Sequence, residues 1–276
     1  MFQGQMDRQP AVAGRFYPGA PAVLAEDVAA LLAERPGGRP TPEPPLPALG
    51  VLVPHAGYMY SGRVAGATYA RLDLPERAIL LGPNHTGMGE RVALWPSGGW
   101  LTPLGRVPVD GDLNRDLLAS GLVAEDRDAH LREHCLEVQL PFLQLRRPEI
   151  AVAALCLGPL SFPRCRELAA AVAAAARRHK AIVVASSDMS HYLPASVARR
   201  KDELALDRVV ALDAEGLYAV VRREDISMCG YVPATVMLAA ARDLGAREAE
   251  LVRYGNSAEA SGDESSVVGY AGVVVH

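Results

Sequence analysis

Two uninterrupted apolar runs, IAVAALCLG at residues 150–158 and AIVVAS at residues 181–186, constrain this chain more than any other feature of it. A strand with one face in water alternates apolar and polar residues, so a run without alternation belongs in the middle of a sheet covered on both faces. Further short runs at residues 49–53, 78–82, 92–95, 248–254 and 267–275 read as strands of the same sheet. Between them lie segments of helical period: residues 22–34, 61–72, 111–120, 135–145, 164–179, 195–212 and 233–244, with Ser61 as a helix N-cap. The pattern predicts an α/β sandwich in which a central sheet is flanked by helices.

With 276 residues, half of them hydrophobic and 22% charged, the chain can bury a large core beneath an ordinary charged surface. The proline-rich stretch PGGRPTPEPPLP at residues 36–47 excludes helix and central strand there. We read it as a surface loop inside one domain spanning residues 1–276, because the segment before it holds a single helix and no separate core. A net charge of −4 and an isoelectric point near 6.0 give no basic field, which argues against nucleic acid as a partner. No apolar run approaches the roughly 20 residues needed to cross a bilayer. The opening MFQGQMDRQP is too polar for a signal peptide, so the expectation is a cytoplasmic protein. Lysine occurs only at Lys180 and Lys201 amid abundant alanine, arginine and proline, a bias we attribute to a GC-rich bacterial genome. Four cysteines without a C-x-x-C pair make neither a disulfide scaffold nor a structural zinc site.

Three strand exits share one composition. Residues 49–53 lead into Pro54-His55-Ala56-Gly57-Tyr58, residues 78–82 into Pro83-Asn84-His85-Thr86-Gly87, and residues 181–186 into Ser187-Asp188-Met189-Ser190-His191-Tyr192. In open α/β sheets ligand sites gather beyond the carboxyl ends of the strands, so His55, His85, Asp188 and His191 are expected on one rim. Imidazoles and a carboxylate so gathered bind a divalent metal or move a proton. A single histidine after a strand is more often structural; the coincidence of three exits carries the site reading. Cys229 stands just before the apolar helix that starts near Pro233, where the helix dipole favours a thiolate. Cys135, Cys156 and Cys165 read as small buried hydrophobes. His134 and Glu137 are expected to anchor a helix over the rim, and His130, His179 and His276 to lie on the surface.

Taken in order, RQPAVAGRFYP from Arg8, PHAGYMYSG, GPNHTG, EHCLEVQLPFL, SSDMSHY, MCGYVP and the closing SSVVGYAG resemble the motifs of the Memo family, from residue 8 to residue 272. The resemblance implies a fold like that of the class III extradiol dioxygenases, a single α/β domain with a mixed central sheet. It implies a metal pocket at the positions matching His55, His85 and Cys229, holding iron or copper with zinc ranked below them, and it puts Asp188 and His191 beside that pocket. It further implies companionship with a radical-SAM protein and an AMMECR-like protein. One departure changes the chemistry: the dioxygenases hold Fe(II) with two histidines and a carboxylate, whereas a cysteine stands here in place of the carboxylate. Ring cleavage therefore does not transfer with the fold.

The leading expectation is a redox or oxygen-handling metalloenzyme, an oxidoreductase in which His191, oriented by Asp188, acts as general acid or base on a small-molecule or peptide substrate. Tyr58 or Tyr192 would donate a hydrogen bond to that substrate. The alternative is a non-catalytic module that binds a peptide or phosphopeptide in the same cleft. A third reading is a hydrolase using Cys229 as nucleophile and His191 as base.

Overall fold

The computed structural model describes residues 6–34 and 45–276, so residues 36–44 of the proline-rich stretch lie outside the described part. The strands are β1 (Gly50–Val53), β2 (Arg77–Pro83), β3 (Val92–Leu94), β4 (Gly99–Thr102), β5 (Gly105–Pro108), β6 (Ala124–Glu125), β7 (Ala151–Leu157), β8 (Ile182–Ser186), β9 (His191–Leu193), β10 (Ala249–Asn256) and β11 (Val267–Val275). One mixed sheet runs in the order β10-β11-β1-β8-β2-β7-β3-β6, with β9 added alongside β11. Its centre, β1-β8-β2-β7, is wholly parallel, while β11 and β3 pair antiparallel on either side of it. β4 and β5 form a separate hairpin.

The apolar runs follow from burial on two sides. Successive side chains of a strand point to opposite faces. Leu52, Ile79, Leu81, Ala153, Leu155, Val183 and Ala185 enter one core. Their neighbours Val51, Val53, Ala78, Leu80, Val152, Ala154, Ile182 and Val184 enter the other. Helices Gly111–Ala119, Phe162–His179, Ala195–Val210, Ala214–Arg223 and Tyr231–Leu244 cover the first face; Pro21–Ala33, Tyr58–Ala70 and Leu140–Arg146 cover the second. The fold is thus the α/β sandwich with a mixed sheet that the sequence implies.

Local departures have physical reasons. Ser61 is not a cap: the helix starts at Tyr58 with Gly57 at the N-cap, and Ser61 Oγ donates to the Ala56 carbonyl. The helix expected from residue 135 starts later, as a turn at Glu137–Gln139 followed by Leu140–Arg146, because the Glu133 carboxylate takes the His134 and Cys135 N–H groups. Pro141 then sits in the first helical turn, where a missing N–H costs nothing. The helix Ala214–Arg223, the β4–β5 hairpin and β9 are additions to the sequence reading.

His130 is a correction. Expected on the surface, it is fully buried, with Nε2 donating to the Ala93 carbonyl and its ring edge-on to Trp95 and Trp100. Burial brings its pKa down to about 4. His179 is likewise mostly covered and bonds Asp116 and Arg77.

The segment Arg8–Tyr17 is fastened by one carboxylate. Glu137, fully buried, accepts from Arg8, from the Ala11 and Val12 N–H groups and from Tyr17 Oη. Arg8 also donates to the His130 and Glu133 carbonyls and lies over the Trp100 ring. Glu137 therefore anchors the N-terminal segment rather than a helix over the rim. Removing one member of a buried pair leaves the other uncompensated, so Glu137→Gln is expected to cost roughly 3–5 kcal/mol in chemical denaturation. A loss below about 1 kcal/mol would show that the pair is dispensable.

Candidate metal centre

Parallel pairing sets the site. Val53 lies opposite Ser186, and β8 pairs in turn with β2, so the three exits after β1, β8 and β2 emerge side by side. The Asp188 carboxylate accepts the His55 N–H at 2.7 Å and ties the first two exits together. Cys229 arrives from the loop ahead of Tyr231–Leu244, which packs across β8, β1 and β2. Gly230 permits that approach: a Cβ there would strike the Ser186 carbonyl and the Ser187 side chain.

The structure brings His55, His85 and Cys229 together, their ligand atoms all within 4.8 Å of one another. Cys229 Sγ lies 3.2 Å from His55 Nε2. Each imidazole is held from behind through Nδ1, leaving Nε2 for the centre. His85 Nδ1 bonds Glu133 Oε1 at 2.9 Å, and His55 Nδ1 bonds Ser186 Oγ at 2.9 Å. Metal-bound histidines are commonly oriented by such partners, so the donor set fits a small cation. His134 joins the group without sharing the focus: its ring stacks on His85 at 5.0 Å and meets His55 edge-on at 5.5 Å.

The electrostatics sort the groups. Burial, with His134 and His85 nearby, pushes His55 well below its ordinary pKa, which favours the neutral imidazole. Burial also disfavours a charged His85, but the Glu133 bond and charge outweigh it and raise His85. In Glu133 burial opposes ionisation, yet the bonds and charges of His85 and His134 bring it down to about 2. Burial lifts Asp188 to about 6 against the His55 and Ala56 N–H bonds it accepts. Cys229 corrects the sequence reading: burial first and the Asp188 charge second raise its thiol above the ordinary value, overriding the helix N-terminus.

Other expected roles are redistributed. His191 is held by Ser227, which supplies a carbonyl to Nδ1 and a hydroxyl to the backbone N–H, so Asp188 does not orient it. Tyr58 is buried and donates to the Val138 carbonyl, out of reach of any substrate. Tyr192 stands 78% exposed in a left-handed backbone conformation. Next to the centre is a cavity of about 510 Å³ lined by His134, Asp188, His191, Tyr60, Tyr192 and Tyr270, among others.

Glu133 and Ser186 are the residues that sequence reading missed, and Gln139 stands out there only as a polar residue among apolar positions. Their signal was present: a carboxylate directly before His134, a serine closing an apolar strand and a glutamine inside LEVQLPF all predict buried polar groups in need of partners. A second convergence, His85, Glu133 and Cys135, exists, but Glu133 is already occupied by the N–H groups of His85, His134 and Cys135, which marks it as support for the first.

Fold and site together define an α/β protein with a candidate two-histidine, one-cysteine metal centre at the carboxyl edge of a parallel sheet core. Residues 8–274 match the family model of the Memo-like proteins. The chain is 40% identical over 268 residues to a MEMO1 family protein of Aquifex aeolicus, covering 97% of this chain and 98% of that one. It is 40% identical over 279 residues to a MEMO1 family protein of Methanopyrus kandleri, covering 98% and 99%. The chain belongs to the Memo family. A solved structure, that of an uncharacterized protein from Escherichia coli K12, matches with a TM-score of 0.51 over 82% of this chain and 99% of that one; at 17% identity this is a likeness of fold alone. Among the described residues no helix is long and apolar enough to cross a membrane.

The close packing of Gly230 yields a test that needs no metal. Gly230→Ala is expected to push the Cys229 loop off β8 and expose the thiol, so alkylation followed by mass spectrometry should proceed faster at Cys229 than in the parent protein. An unchanged rate would mean that Gly230 does not set the position of Cys229.

Proposed function

We propose that this chain is a metal-dependent protein of redox or oxygen-handling function, holding one iron or copper ion through His55 Nε2, His85 Nε2 and Cys229 Sγ. The observation that carries the proposal is the convergence of these three atoms within 4.8 Å, each histidine already tied back through Nδ1. A thiolate with two imidazoles is a soft donor set that suits Cu(I), zinc or an electron-rich Fe(II). Such an ion supplies Lewis acidity and, as iron or copper, a one-electron redox centre.

The protein's own groups would bind and orient the substrate. His191 donates Nδ1–H to the Ser227 carbonyl, which leaves Nε2 free to take or return a proton in the cavity. Asp188 lines the same cavity and holds the His55 backbone. Tyr192 at the mouth offers an aromatic ring and a hydroxyl. The companions that the family resemblance implies, a radical-SAM protein and an AMMECR-like protein, belong to the same proposal, as does a cytoplasmic location.

Elemental analysis of protein purified without oxygen, beside His55→Ala and Cys229→Ser, tests this. Near-stoichiometric iron or copper that is lost in both variants is the expected result; metal retained in Cys229→Ser would remove the cysteine from the site. The pH dependence has a fixed sign. The Cys229 thiol and, at lower pH, His85 hold protons that the metal must displace, so affinity should rise with pH by roughly tenfold per unit for each proton released. Competition titrations between pH 6 and 8 would read this, and a flat profile would mean that no protonated ligand takes part.

A second reading draws support from the rim, where Met59, Tyr60 and Tyr192 are exposed around the cavity. Exposed aromatic and sulfur-bearing side chains suit capture of a peptide or phosphopeptide without chemistry. If chelation leaves such binding intact while His55→Ala abolishes it, this reading gains and the enzyme reading loses.

A further inference from the structure

Ser186 closes β8 with its hydroxyl enclosed by three polar neighbours: the Cys135 carbonyl at 2.7 Å, Gln139 Nε2 at 2.9 Å and His55 Nδ1 at 2.9 Å. A hydroxyl has one proton to give and two lone pairs to receive with. A carbonyl only accepts, so the Ser186 proton is committed to Cys135. The other two contacts must then be donations to Ser186.

Gln139 meets that requirement in one orientation only. Its Nε2 faces the Pro54 carbonyl at 3.0 Å, which also only accepts, while its Oε1 receives the Tyr69 hydroxyl at 3.0 Å. Turning the amide over would set oxygen against oxygen at Pro54. With Gln139 donating, one lone pair of Ser186 is left, and His55 Nδ1 fills it as N–H.

From this closed set we propose that Ser186, fixed by Gln139 and Tyr69, is a positioning residue that locks His55 in the Nδ1–H tautomer, so that Nε2 always presents its lone pair to the centre. The proposal rests on the metal-site reading for its purpose, and its geometry stands independently. Two backbone carbonyls, of Cys135 and Pro54, decide the state of a ring nitrogen on the far side of His55. In the metal-free protein that nitrogen receives the Cys229 S–H across 3.2 Å; a bound cation takes the place of the proton.

The experiment is two-bond ¹H–¹⁵N correlation NMR of metal-free protein labelled in histidine, with His55 assigned from its absence in His55→Ala. The expected spectrum has His55 protonated on Nδ1 and bare on Nε2; a proton on Nε2 overturns the proposal whether or not metal binds. Ser186→Ala should bring in the second tautomer and weaken anaerobic Fe(II) binding by roughly 10- to 100-fold, as loss of an orienting partner does in metal sites. Ser186→Thr, which restores the hydroxyl, should recover most of that loss, and Gln139→Leu should lose less than Ser186→Ala. Ser186→Ala with an unchanged tautomer and unchanged Fe(II) affinity would also overturn it. Parent protein that takes up neither Fe(II) nor Cu(I) would defeat the metal reading alone, and the NMR result would still decide the tautomer.

Discussion

The pairing of Val53 with Ser186 across β1 and β8 is the constraint on which the rest of the site depends. Parallel strands end on the same edge of a sheet, so three exits that are far apart in sequence become neighbours by topology alone. Once β8 lies between β1 and β2, His55 and His85 flank the turn that carries Asp188, and only Cys229 has to be brought in from elsewhere. The helix Tyr231–Leu244 does this as it packs across β8, β2 and β1 and against Phe162–His179 and Ala214–Arg223. Core packing and ligand placement are therefore one event.

The two histidines are supported unequally, and the difference has chemical meaning. His85 leans on a carboxylate, His55 on a hydroxyl. A carboxylate behind an imidazole raises its basicity and its donor strength, whereas a hydroxyl fixes orientation without adding charge. His85 is also partly exposed while His55 is buried. The candidate centre thus pairs a buried, neutral imidazole with a more exposed, more basic one, and Glu133 supplies negative charge behind the second. Arg8 binds the Glu133 carbonyl and the Glu137 carboxylate, which makes the N-terminal segment a structural part of the site.

The elements legible in the sequence were those set by periodicity and by exits from buried strands. The runs at residues 150–158 and 181–186 have one physical solution, a strand covered on both faces, and His55, His85 and Asp188 follow from it. What escaped were groups defined by their partners. His130 reads as one more polar residue in RDAHLREH, and only the tryptophans from β4 and the stretch after β3 explain its burial. The amide of Gln139 and the hydroxyl of Ser186 have meaning only when residues 54, 69 and 135 converge on them, and no local pattern encodes that convergence. The hairpin β4–β5 was missed because strands of four residues around Pro103 and Gly105 lack a recognisable period.

Cys229 shows how two correct principles compete. A helix N-terminus stabilises a thiolate by a fraction of a kcal/mol to about 2 kcal/mol, falling off within one turn. Removing a charge from water costs several kcal/mol and is not offset here by a fixed cation, while Asp188 adds repulsion. Burial therefore outweighs the dipole and favours the protonated thiol, which lies 3.2 Å from His55 Nε2. That result weighs against the hydrolase reading, which needs a free thiolate beside its base: Cys229 contacts His55, whereas His191 is bound to Ser227. It is consistent with a ligand, because a cation supplies at the point of contact the charge that makes the thiolate stable. A thiol that holds its proton beside the neutral His55 and the more basic His85 suits a ligand that a cation would ionise.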